Sequence, residues 1–141
     1  MRAAMKHTIL LALLLACGTA QAADWVPIGK ADNGTQETFV DVSSIRVTGS
    51  IRRAWAKLVP AHHTMKLPDN DNRKKWVSYE VSREAFNCDE ETSIFEALSA
   101  YFDDGTNGSV PADAFPTQWT PVPPDTIRSI EMHFVCAWKA Q

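Results

Sequence analysis

Pro123-Pro124-Asp125-Thr126, leading through Ile127 and Ile130 to Val135-Cys136, is the stretch that decides the fold. The two prolines favour an extended chain before them, and Asp125 or Thr126 can cap the free N–H groups of a first helical turn. Ile127, Ile130, Phe134 and Trp138 then recur at spacings of three and four, which predicts a helix with one apolar stripe. At about 100° per residue Cys136 falls well away from the centre of that stripe. A bond through Cys136 therefore needs either a wide buried arc that includes Met132 and Val135, or a helix that loosens before Cys136.

The partner for Cys136 is sought upstream. Arg2 and Lys6, the short apolar run Ile9 to Ala16 and the small residues Ala20-Gln21-Ala22 follow the order of a secretory signal, with Ala23 as the expected mature start. Leu14-Leu15-Ala16-Cys17 also looks like a lipobox, with Leu15 a poor fit, so lipidation of Cys17 is the alternative. Removing 22 of 141 residues leaves 119, the size of one domain, residues 23–141. It also leaves Cys88 and Cys136, an even number in an oxidising compartment, which reads as a structural disulfide. Their separation, 136 minus 88, is 48 positions, and they lack the close pairing of zinc motifs.

Charge narrows the function classes. Without Arg2 and Lys6 the 14 basic residues become 12, against 17 acidic ones, a net charge of −5. A nucleic-acid partner would want a basic face. No other stretch is apolar and long enough to span a bilayer as a helix.

Between the signal and the last helix the chain reads as strands and turns, a twisted antiparallel sheet beneath the helix. Trp25 to Gly29 forms a first strand, with Pro27 marking an edge. Ala31-Asp32-Asn33-Gly34 turns the chain, and Thr38 to Asp41 is the second strand. Ser43 to Arg46 reads as a short turn or helical step. Ile51 to Val59 is a longer strand, and Pro60 to Lys75 an irregular polar loop. Trp76 to Phe86 has the strongest alternation, and Glu91 to Phe102 favours strand over helix because of its β-formers. The five tryptophans, Trp25, Trp55, Trp76, Trp119 and Trp138, are expected mostly to fill the gap between sheet and helix.

In order, the signal, Trp25-Val26, Phe39-Val40-Asp41 with Ser44-Ile45, Gly49 with Arg52-Arg53 and Trp55, and Tyr79 before Asn87-Cys88 form a series of landmarks. Tyr101 with Gly105, Trp119 with Pro123-Pro124, and Val135-Cys136 complete it. The series resembles the surface-adhesin protein E family of small secreted Gram-negative proteins over nearly all of the mature chain. The resemblance implies an α+β fold, with six antiparallel strands and a C-terminal helix tethered by Cys88–Cys136. It also implies an exported, non-catalytic protein of the periplasm or cell surface. The implied partners are host extracellular proteins or another envelope protein, and the founding member is associated with haem and dimers. Two departures are Thr126, where the family commonly has serine, and the long Pro60 to Lys75 segment. No binding residue carries over, because the matching residues are scaffold.

The candidate chemistry is sparse. His62, His63 and Met65 could hold copper or a haem iron, although a solvated loop carrying two histidines is the preferred reading, and no cofactor is called for. Asp69-Asn70-Asp71-Asn72 lacks the glycine and closing glutamate of a calcium loop. Ser43, Ser44, Ser78 and Ser82 have no base placed beside them, so a hydrolase or enzyme inhibitor is the least supported reading. An exposed aromatic patch would favour a binding module, and His62 and His63 converging on a pocket would favour a carrier.

Overall fold

The computed structural model describes residues 22–31 and 34–139. The signal segment before Ala22, Cys17, and Asp32-Asn33 of the first turn lie outside the described residues. Eight strands form one antiparallel sheet: β1 Trp25–Ala31, β2 Gln36–Thr48, β3 Ile51–Pro60, β4 Lys66–Pro68, β5 Lys74–Asn87, β6 Thr92–Phe102, β7 Asn107–Ser109 and β8 Thr120–Pro121. Its main path has six of them, in the order β1-β2-β3-β5-β6-β7, while β4 pairs with β5 and β8 with β6. β1, with Pro27, is an edge as expected, and Thr92–Phe102 is strand rather than helix. Among the described residues one α-helix, α1, spans Ile127–Ala137. Among the described residues no helix is long and apolar enough to cross a membrane.

Thr126, not Asp125, caps α1. Its hydroxyl accepts from Ser129 N at 3.1 Å while Ser129 Oγ accepts from Thr126 N at 3.2 Å, so two otherwise orphaned N–H groups are satisfied reciprocally. Threonine keeps the hydroxyl a serine would supply, which makes that departure from the family pattern harmless to the cap. At the other end Arg52 of β3 donates through Nη1 to Val135 O, at 2.9 Å, and to Trp138 O. A cation thus meets the negative end of the helix dipole and satisfies its last carbonyls.

The wide-arc alternative is the one realised. The helix continues through Cys136, and its buried residues are Ser129, Glu131, Met132 and Val135. The expected stripe of Ile127, Ile130 and Phe134 is half-buried, with Ile127 facing the β5–β6 side and Ile130 and Phe134 on the flank that leans toward β1. There Gly29 leaves room for Ile130, since a Cβ on Gly29 would come within 3.2 Å of the Ile130 side chain. Met132 and Val135 pack with Val40, Ala54, Ala56 and Phe86. The two alanines on β3 let the helix approach closely, so the core is thin and contains no tryptophan. This corrects the expectation for the tryptophans. Four of the five are half-buried and Trp119 is exposed. A second cluster, Val77, Ala100 and Phe102, is covered by Met65 and Leu67.

Two other local expectations change. Ser43 to Arg46 is neither a turn nor a helical step, because β2 runs through it. Between the pairs Asp41↔Trp55 and Arg46↔Arg53, residues 42–45 oppose Ala54 alone. Ser44 Oγ accepts from Trp55 N at 2.9 Å, and Asp41 Oδ1 accepts from Ser43 N at 3.0 Å. Side chains replace the missing ladder bonds, so the strand bulges instead of breaking. The 60–75 loop contains a small hairpin, with Leu67 opposite Lys75. Its turn is organised by Asp69, which accepts the N–H groups of Asp71 and Arg73 at 3.0 and 2.9 Å. Those backbone bonds, with Arg73 and Lys75 beside them, lower its pKa to about 2.

Cys88 and Cys136 are bonded, with Cα atoms 5.7 Å apart, and Cys88 N donates to Ser50 O at 3.0 Å. In the chain-entropy picture a loop of this length contributes roughly 4 kcal/mol. Reduction, or Cys136→Ser, is expected to lower Tm by roughly 10–20 °C for a domain of this size. Hydrogen exchange should rise in residues 127–137 before it rises in β3 and β5. Unchanged protection of 127–137 in the reduced protein would mean that packing and Arg52 hold the helix without the bond.

Candidate functional site

Because α1 lies against β1, β2, β3 and the near end of β5, much of the β5–β6 part of the same sheet face is left open. The opening is a groove. One cavity of about 430 Å³ lies between the start of α1 and the sheet, and a second of about 570 Å³ lies toward β4 and β7. Glu80 and Leu98 line both, so the two adjoin. Leu58, Leu98, Phe95 and Ile127 give the first cavity apolar walls.

Three carboxylates face this apolar space. Glu84, on the helix-facing side of β5, is 1 % exposed and its Oε1 meets Arg128 Nε at 2.9 Å. Arg128 also lies over the Phe95 ring, at 4.2 Å. Glu131 is 6 % exposed, and its carboxyl has no hydrogen bond or ion pair among the described residues. Burial, reinforced by the nearby Glu84 and opposed by Arg128, raises Glu131 to about 8. Burial also raises Glu84, against the pull of Ser93 and Arg128, and it raises Glu80. At neutral pH Glu131 therefore carries its proton.

The histidine cluster is rebuilt in a different form from the expected one. His62 Nε2 and His63 Nε2 lie 3.8 and 3.1 Å from Asp103 Oδ2. Asp103 is oriented by Ser78, whose hydroxyl donates to Oδ1 at 2.6 Å. His63, with a left-handed φ of 57°, stacks on Trp76 at 4.9 Å. His62, His63 and Asp103 are the set that could hold a metal ion among the described residues, and all three are exposed. Met65 is not with them, because it packs on the Val77–Phe102 cluster. Ser78 donates its hydroxyl to Asp103 rather than to an imidazole. Ser43 and Ser44 serve the β2 bulge, Ser82 lies in the groove, and His133 is exposed on α1.

The sheet face opposite α1 carries the half-buried aromatics. Lys57 Nζ sits 4.7 Å from the Trp25 ring and 5.0 Å from that of Phe39. Tyr79 and Tyr101 stack at 4.4 Å. Glu96, the extra residue of a β6 bulge, accepts from Arg53 at 2.8 Å and pairs with Arg83 at 3.1 Å. The sequence reading missed Asp103 and the buried carboxylates. A signal existed for the latter, since Glu80 and Ser82 alternate toward the face that a core would need.

Replacing Glu131 tests this electrostatic picture. A carboxyl whose folded pKa of about 8 exceeds its ordinary 4.5 contributes stability that is complete below pH 4.5 and is lost as pH rises to about 8. Tm of the parent chain is expected to fall over that window, and Glu131→Gln should flatten the fall and exceed the parent above pH 8. Parallel Tm–pH curves for the two proteins would refute the assignment.

The fold has known relatives in structure. A structure of Haemophilus influenzae protein E aligns with 86% of this chain and 90% of its own, at 17% identity and a TM-score of 0.55. A second crystal form of the same protein covers 86% of this chain and 94% of its own, at 16% identity and a TM-score of 0.54. At such identities the likeness speaks for the fold. No curated protein matches the sequence. Residues 25–137 match the family described as surface-adhesin protein E, and the chain belongs to that family.

Proposed function

We propose that this is an exported, non-catalytic binding protein of the cell surface that engages a host extracellular protein through the sheet face opposite α1. Family membership supports an adhesin-like surface protein. The observation that carries the choice of face is the row Trp25, Phe39 and Lys57, continued by Arg53, Glu96 and Arg83 and by the Tyr79–Tyr101 stack. Aromatic and arginine side chains dominate interface energetics because they combine large apolar area with directional polar contact. Among the described residues no helix covers them, and pre-formed stacks and ion pairs lower the entropy lost when a partner docks.

Two measurements test the reading. Retention of Trp25→Ala and Tyr101→Ala on immobilised extracellular-matrix proteins should drop by about tenfold or more, as truncation of central interface aromatics does, with Tm little changed. Retention equal to that of the parent chain would move the site elsewhere on the molecule. For export, the intact mass should correspond to a chain starting at Ala23 with no lipid, and a diacylglycerol adduct on Cys17 would overturn that start.

A further inference from the structure

We infer that the cavity between α1 and the β5–β6 part of the sheet is a binding site for an organic cation, an ammonium group on an apolar stem. The site is separate from the face proposed above, and its argument stands on different residues. A group of carboxylates alone would not suggest a ligand, since acidic side chains usually face water. Here Glu131 is 6 % exposed, lines the cavity, and has no partner among the described residues. Its oxygens are not sealed in as those of Glu84 are, so they open onto the cavity, where so buried a side chain is costly to ionise. Something that comes and goes would explain why it is kept.

Charge and shape select the class of ligand. The charged groups facing Glu131 are Glu84 and Glu80 from β5 and Arg128 from its own helix. β3 and β6 bring only Leu58, Phe95 and Leu98 to the cavity. Arg128 meets Glu84 through Nε and lies over the Phe95 ring, so its charge is largely offset before any ligand arrives. An anionic ligand would meet two further carboxylates, and a neutral one would leave Glu131 uncompensated. An ammonium donates three hydrogen bonds and brings one positive charge. Its stem can follow Leu58, Leu98 and Ile127, and the second cavity extends the path past Ala100 and Val110.

Binding then has a defined proton balance. The protonated Glu131 carboxyl and the ammonium ion become a carboxylate–ammonium pair, and one proton leaves to solvent. Affinity must therefore rise with pH below about 8, where Glu131 begins to ionise unaided. The same ammonium chemistry could come from a free alkylamine or from a lysine side chain of another protein, and separate probes distinguish these.

The test uses the mature, oxidised protein with n-hexylamine, 1-hexanol, hexanoate and a short acetylated lysine peptide, followed by calorimetry and by methyl shifts of Leu58, Leu98 and Ile127. Hexylamine should bind at least tenfold more tightly than hexanol or hexanoate, tighten about tenfold between pH 6 and 7, and release close to one proton at pH 6.5 in paired buffers. Glu131→Gln, which keeps the side-chain volume, should weaken hexylamine at least tenfold and abolish the proton release. Binding of the lysine peptide with no binding of hexylamine would keep the site and assign its ligand to a protein partner. Hexanoate or hexanol binding as tightly as hexylamine, an unchanged Glu131→Gln, or no shift from any probe at millimolar concentration would overturn the inference.

Discussion

The bond between Cys88 and Cys136 ties the end of β5 to the end of α1, and the position of everything else on that sheet face follows from it. Cys88 is itself fixed by Ser50 in the β2–β3 turn, and Arg52, two residues further on, holds the carbonyls of Val135 and Trp138. Two residues from neighbouring parts of the sheet, Cys88 and Arg52, thus converge on the last turn of the helix. At the other end the Thr126–Ser129 box is local, and Arg128 reaches Glu84 of β5. In the last turn Val135 is at 0 % exposure against Ala54, Ala56 and Phe86.

Those small residues explain what could and could not be read in advance. Strand alternation marks β3, β5 and β6 plainly, and the prolines and Thr126 mark the start of α1. Alternation shows two faces but does not say which the helix will take. On β3 the face with Trp55 and Lys57 looked as well suited to burial as the one with Ala54 and Ala56. The tethers decide it, because Arg52 shares a face with Ala54 and Ala56 and must reach the helix end. Trp25 and Trp55 then fall on the outer face, while Trp138 closes the end of α1 against Phe134. The Ser43–Arg46 bulge was hidden for a different reason. Serines and an aspartate signal a turn, yet here they hydrogen-bond across a strand and keep it running. Asp103 was invisible to any local pattern, since only the pairing of β5 with β6 brings it beside His63.

The groove has a simpler geometric origin. Strands lie about 4.8 Å apart and a helix with its side chains is about 10–12 Å wide, so one helix covers roughly two to three strands. The main path here has six. With α1 held toward the β1–β3 side, the β5–β6 part cannot be roofed by it, and the β4 hairpin reaches only the far end. An open, wholly apolar sheet face would invite association with other chains. Glu80 and Ser82 in the groove floor interrupt that surface, which is reason enough for some polar residues there.

Solubility does not account for the other two carboxylates. A side chain retained to keep a surface wet is exposed and ionised, whereas Glu84 and Glu131 are 1 % and 6 % exposed and both are pushed toward the protonated form. Nor do they form a self-sufficient network, since Arg128 reaches Glu84 and leaves Glu131 alone. A purely structural role would be served better by leucine or glutamine at 131, which fill similar space without a titrating group. What remains is a role in which the charge of Glu131 changes, and an apolar cavity open at one end is the setting in which an incoming cation can change it.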